Sequence, residues 1–281
     1  KNVISTGSCF NIIANNITLD CSGFSINYSS IGYGINATGV NETTIKNCKI
    51  LQTDSLGNFN HGILFSDVFN SSVSNSYIFT QSPSSHCIRL ISSFNININD
   101  VNVTTVGQTS NGILPSSSLN VSVNNANITV RGSGSKGIFL ISTSNSSFDR
   151  VLIYSSGPSI DESIDSLSGG RGIYLSGSSE GNVFSKFNIT SVSNSIYILG
   201  SENTFSLQDS ALRSISFDEV FISSSVSSGE WNFTNVSFTD ILWPAPSTGI
   251  LNVHWYVHVY ANYSNGTNIS NANISAFNKS N

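Results

Sequence analysis

The stretch "GILPSSSLNVSVNNANI" runs from Gly112 to Ile128, and "GIFLISTSNSSFDRVLI" follows it from Gly137 to Ile153. The two share few identities beyond Gly-Ile, yet their apolar residues fall in step: Ile113 with Ile138, Val123 with Phe148, Ile128 with Ile153. A chain that keeps the beat while changing the letters is repeating a shape. With the Ile of each Gly-Ile taken as zero, the zero positions are Phe10, Ile35, Ile63, Ile88, Ile113, Ile138, Ile173, Ile196 and Phe221. Their spacings are 25, 28, 25, 25, 25, 35, 23 and 25 residues.

Two further anchors recur in each unit. One comes ten residues on, at Ile45, Val73, Ile98, Val123, Phe148, Val183 and Trp231, or nine on, at Leu19 and Phe205. Another comes fifteen or sixteen on, at Ile26, Ile50, Ile78, Val103, Ile128, Ile153, Ile189, Leu212 and Val236. Around these anchors apolar and polar residues alternate, as in Ile96-Asn97-Ile98, and a period of two means strand. The runs are short and β-branched, and Gly, Ser and Asn fill the gaps where turns belong. A unit of about 25 residues with three short strands suits one coil of a parallel β-helix. Nine coils at about 4.8 Å each predict a rod roughly 40 Å long, with Ile, Val, Leu and Phe inside and Ser, Thr and Asn outside. The 35-residue unit then carries an insertion near Ser155–Gly170. Two residues past the second anchor stand Asn47, Asn75, Asp100 and Asn125, a corner ladder. Cys21 takes this place in the first coil, Arg150 and Ser185 in later ones.

"ITLDCSGFSI" (Ile17–Ile26), "TTIKNCKI" (Thr43–Ile50) and the recurring Gly-Ile resemble right-handed parallel β-helix repeat proteins of the NosD-like type, in the form found in archaeal surface glycoproteins. The resemblance covers roughly residues 9–240. It implies a right-handed coil and little about activity, because the same coil serves lyases, hydrolases, adhesins and structural rods.

The expected organisation is all-β. Residues 1–241 form the parallel β-helix of about nine coils, and 242–249, "LWPAPSTG", a proline-rich linker. Residues 250–281 form an antiparallel β segment with an Asn265-Gly266 turn signal, a partial β-sandwich. That segment resembles the opening strands of an immunoglobulin-like module of the carboxypeptidase-regulatory type, and its 32 residues are too few for a whole sandwich. The open ends of the solenoid and the C-terminal strands are expected to meet further chain, other copies or other surface proteins.

Composition narrows the partners. Only 10% of residues are charged and the net charge is −5, with no cationic run, which argues against nucleic acid. No apolar run in this segment reaches the roughly 18–20 residues that span a bilayer. Asn-x-Ser/Thr occurs 17 times, at Asn16, Asn27, Asn36, Asn41, Asn70, Asn102, Asn120, Asn127, Asn145, Asn188, Asn232, Asn235, Asn262, Asn265, Asn268, Asn273 and Asn278. Such a density predicts N-linked glycans and an extracellular or cell-surface location. Of the four cysteines, Cys21 and Cys48 lie one coil apart and can bridge; Cys9–Cys21 is the competitor, and four buried thiols the plain alternative.

No catalytic constellation stands out. Asp20, Lys46, Asp67, Asp100 and Asp149 scatter over different coil positions, and His61-Gly62 falls on the structural beat. The four histidines show no clustering by register, though His254 and His258 share one strand face. Tyr33, Tyr77, Tyr154 and Tyr174 do not align into a sugar-binding stripe. Asp161, Glu162 and Asp165 place three oxygen donors in five residues, a weak Ca²⁺ candidate without EF-hand spacing. No other cofactor is expected. The reading at this level is a non-enzymatic structural surface glycoprotein, part of a filament, stalk or surface layer. An adhesin or carbohydrate-binding β-helix is the alternative, and a polysaccharide lyase or hydrolase the second alternative.

Overall fold

The structure, a computed structural model, describes residues 1–29, 31–157, 169–200 and 203–256. Every regular element among them is a strand, and the strands form two sheets, of 14 and 10 strands. All the pairings are parallel, between one coil and the next. The chain is therefore a parallel β-solenoid of about nine turns. Ile88 pairs with Ile113 and Ile113 with Ile138, and all three are fully buried in one column.

The first sheet contains long strands, Phe69–Thr80, Phe94–Thr105 and Leu119–Val130, that pass through the second and third anchors without a break. Each has a left-handed residue near its start, Asn70, Asn95 or Asn120, and bends between the two anchors at a second: Asn75 (φ 47°), Asp100 (φ 53°) and Asn125 (φ 54°). Asn and Asp tolerate this conformation, and their side chains link the corners vertically: Asn125 Nδ2 donates to Asp100 Oδ1 at 2.6 Å. The corner continues at Arg150, Lys186, Asp209 and Asn235, and the first coil places Ser22 there. Cys21 and Ser185, the expected occupants, each lie one residue away.

The later anchors also shift. Phe184, not Val183, lies beside Phe148; Leu207, not Phe205, follows Phe184; Phe233, not Trp231, follows Leu207; and Val220, not Phe221, extends the Ile196 column. Apolar residues stand at both candidate positions in each case, so the spacing alone offers two registers. Side-chain packing selects one: Phe184 is buried and Val183 is 40% exposed.

The expected exterior of Ser, Thr and Asn is corrected too, because many of these side chains are buried at the corners. Where the chain turns, a backbone N–H leaves the sheet ladder and needs an acceptor. Ser85 N donates to Ser110 Oγ (2.9 Å) and Ser110 N to Ser135 Oγ (3.1 Å). Val121 N and Ser146 N use Ser146 Oγ and Asn182 Oδ1 in the same way (3.0 Å each). The glycine of each Gly-Ile beat answers to close approach instead. A Cβ on Gly137 would stand 2.5 Å from Ile153 Cγ2 and 2.8 Å from Gly172 O.

At the C-terminal end, Ile241–Leu242 pairs with Val220–Phe221, and Ile250–His254 pairs in parallel with Glu230–Thr234. Rungs therefore lie on both sides of the expected linker, of which only Leu242 is in a strand, and the first five residues of the expected antiparallel segment add to the solenoid in parallel. Leu251 and Trp243 pack on its core, Trp243 edge-on to Trp231, which explains the continuation. The remainder, including the residues compared with an immunoglobulin-like module, lies outside the described residues. Near the other end, Cys21 and Cys48 are joined by a disulfide across adjacent coils, with Cα atoms 4.8 Å apart. Cys9 and Cys87 are free, and burial pushes the Cys87 thiol up to about 12.

Candidate functional site on the second sheet

The inward residues of the second sheet are Ile-rich, so their outward neighbours form a lateral face. One residue past each zero position runs a vertical file: Leu64, Arg89, Leu114, Phe139, Tyr174, Tyr197 and Phe221. Tyr174 and Tyr197 stack with centroids 4.9 Å apart, and Tyr197 and Phe221 at 4.6 Å. Phe139 meets Tyr174 edge-on at 4.8 Å. The expected lack of aromatic alignment is thus corrected. It compared tyrosines alone, whereas the register aligns Tyr174 with a second tyrosine and two phenylalanines.

Two residues before each zero position runs a second file: Tyr33, His61, His86, Asn111, Lys136 and Arg171. Tyr33 stacks on His61 (5.6 Å), and His61 on His86 (4.9 Å), so two of the four histidines do cluster by register. Each accepts a backbone N–H of the next coil at Nδ1: His86 N on His61 (3.1 Å) and Asn111 N on His86 (3.0 Å). Asn111 Oδ1 repeats this with Lys136 N at 2.9 Å. An accepting Nδ1 places the proton of the neutral ring on Nε2, so both imidazoles are donors there. Burial pushes His61 down to about 3, with the Arg89 guanidinium adding to the effect, and holds His86 well below the usual range.

The two files meet at the cations. Lys136 Nζ sits 5.3 Å from the Phe139 and Tyr174 ring centres. Arg171 lies 3.8 Å from the Tyr197 ring centre. Burial first, then Arg171, lowers Lys136 to about 8. Phe139, Tyr174, Phe221, Arg89 and Lys136 remain partly exposed. The Tyr174, Tyr197 and Phe221 faces cover one another, so the stack forms a wall in which Tyr197 is buried and Tyr174 and Phe221 stay partly exposed.

Asp161, Glu162, Asp165 and His258 lie outside the described residues, as do Asn262, Asn265, Asn268, Asn273 and Asn278. His254 is exposed. Among the described residues no group of three or more His, Cys, Asp or Glu is arranged to hold a metal ion. The other twelve sequon asparagines lie among the described residues and none is buried. From Ile63 to Ile222, the described strands of the second sheet contain none of them.

No family model matches this sequence, and no curated protein matches it. Solved structures do match in shape. The Agl-KA catalytic domain aligns with a TM-score of 0.52 at 14% identity, over 89% of this chain and 53% of that one. DFA-IIIase from Arthrobacter chlorophenolicus A6 aligns at 0.49 and 12%, over 83% of this chain and 57% of that one. PfbA, a surface adhesin of Streptococcus pneumoniae, aligns at 0.28 and 14%, over 93% and 74%. This chain thus spans little more than half the length of the first two. At such identities the likeness shows the fold alone. It nevertheless corrects the expectation that the chain is not an enzyme. A solenoid of this shape serves as a catalytic domain in Agl-KA, so scattered carboxylates on such a rod give no ground for excluding catalysis.

Proposed function

We propose that this chain is an extracellular or surface-exposed, N-glycosylated β-solenoid that binds an extended carbohydrate chain along the lateral face of its second sheet. One observation carries the reading: hydrogen-bond donors and aromatic edges stand in register on successive coils, from Tyr33 to Phe221. A repeating ligand suits a repeating surface. His61, His86, Arg89 and Lys136 offer N–H groups to an acceptor-rich partner, and the Phe139–Tyr174–Tyr197 wall limits its width. The distribution of sequons agrees from Ile63 onward, because no described sequon lies on the second-sheet strands between Ile63 and Ile222; Asn36, on the strand Ile35–Thr38 beside Tyr33, is the exception.

The test is retention of the protein on immobilised polysaccharides, compared with a Tyr174→Ala/Tyr197→Ala double variant. Binding by the native chain, with at least about a tenfold loss in the variant, is expected. Binding that survives unchanged would place recognition on another face.

A further inference from the structure

Lys136 is out of the ordinary for a cation on a protein of net charge −5. Its side chain is largely removed from water, yet its close partners among the described residues are two aromatic rings and no carboxylate. Arg89 stands on the same face, likewise half-buried, without a carboxylate among the described residues. Among the described residues the carboxylates that pair with cations, Asp20 with Lys46 and Asp149 with Arg150 and Lys186, sit on the first sheet and its corners. Desolvating a cation without a counter-charge costs free energy, which a ligand carrying the charge would recover. The flanking imidazoles offer donors at Nε2, which suits an acceptor-only group such as a carboxylate or sulfate.

We propose that this face selects anionic glycans, chains bearing carboxylate or sulfate groups, with Lys136 and Arg89 as the residues that read the charge. The proposal rests on the carbohydrate-binding reading and deepens it. Lys136 and Arg89 stand on different coils, so a ligand charged at intervals along its length is favoured over a single small anion. The rings beneath Lys136 hold the ammonium in place, and cation–π contact leaves its outward hydrogens free for an acceptor.

The experiment titrates the full chain with two matched pairs: polygalacturonate against its fully methyl-esterified form, and dextran sulfate against dextran. Native protein, Lys136→Gln, Lys136→Arg and Arg89→Gln are compared at two salt concentrations. The expected result is binding to one or both anionic members and not to their neutral partners, weakened by salt. Lys136→Gln should reduce it by about tenfold or more, and Lys136→Arg should preserve it. The member that binds distinguishes carboxylate from sulfate. Equal binding to charged and neutral members would overturn charge selection and leave the carbohydrate face standing. Anionic binding indifferent to both Lys136→Gln and Arg89→Gln would overturn the assignment of these residues. Absence of binding to all four polymers would overturn the proposal and the reading beneath it together.

Discussion

Ser110 shows at residue scale what the sequence pattern conceals. Its hydroxyl accepts Ser85 N and donates to Ser82 O at 2.9 Å each, fully buried. Ser110→Ala would strand a buried N–H, and a loss of about 1–3 kcal/mol is expected in chemical denaturation. The spacing of Ser85, Ser110 and Ser135 is visible in the sequence, but a polar residue in a turn looks the same whether it faces water or a neighbouring coil. His61 and His86 were legible in the same incomplete way. Both precede a zero position by two residues, yet only the stacked coils reveal that this offset is one column. Their burial predicts a pH dependence. The unfolded chain takes up protons near pH 6.5, and folded His61 does so only near 3. Stability is therefore complete above 6.5 and falls as the pH drops through that window, by up to about 1.4 kcal/mol per pH unit for each histidine kept neutral. Thermal unfolding between pH 7 and 5 should show this decline, and His61→Gln/His86→Gln should flatten it; an equal slope in the variant would place the cause elsewhere.

At the scale of the element, a strand here is held by what lies directly above and below it. Gly132 makes the point, since a Cβ there would stand 1.8 Å from Gly107 O, a backbone atom of the neighbouring coil. Gly132→Ala is expected to destabilise by about 1–3 kcal/mol, and Ile113→Ala, which opens a void in the central column, by about 2–5 kcal/mol. Urea titrations of both against the native chain test the order. The regular coils from Ile63 to Ile138 were readable because a constant spacing of 25 leaves one register. Beyond the long unit the coils vary in length and neighbouring positions are both apolar, as at Val183-Phe184 and Val220-Phe221. There only packing decides, and the spacing reads one or two residues off.

For the molecule as a whole, the two sheets do different work. The first holds the Asn/Asp corner and most of the described sequons that lie on strands, while the second displays the ring-and-donor face and carries Asn36. The Cys21–Cys48 bridge fastens the first two coils. Its reduction should raise amide exchange there and leave the coils from Ile88 to Ile138 protected, as expected when neighbours stabilise one another pairwise. Fold class and coil number followed from the Gly-Ile beat. The candidate face did not, because it is made of residues 23 to 35 apart whose letters differ, Phe, Tyr, Tyr and Phe in one file and His, His, Asn and Lys in another. All of this depends on the coils stacking in register, and a cross-link between adjacent rungs measures that most directly. Asn97 lies opposite Ser122 on outward positions of the first sheet. In the Asn97→Cys/Ser122→Cys variant a disulfide is expected on mild oxidation, as the native bridge across coils already shows to be feasible. The displaced pair Asn97→Cys/Asn124→Cys should remain reduced. Cross-linking of the displaced pair, with the opposed pair left free, would contradict the stacked register on which the account depends.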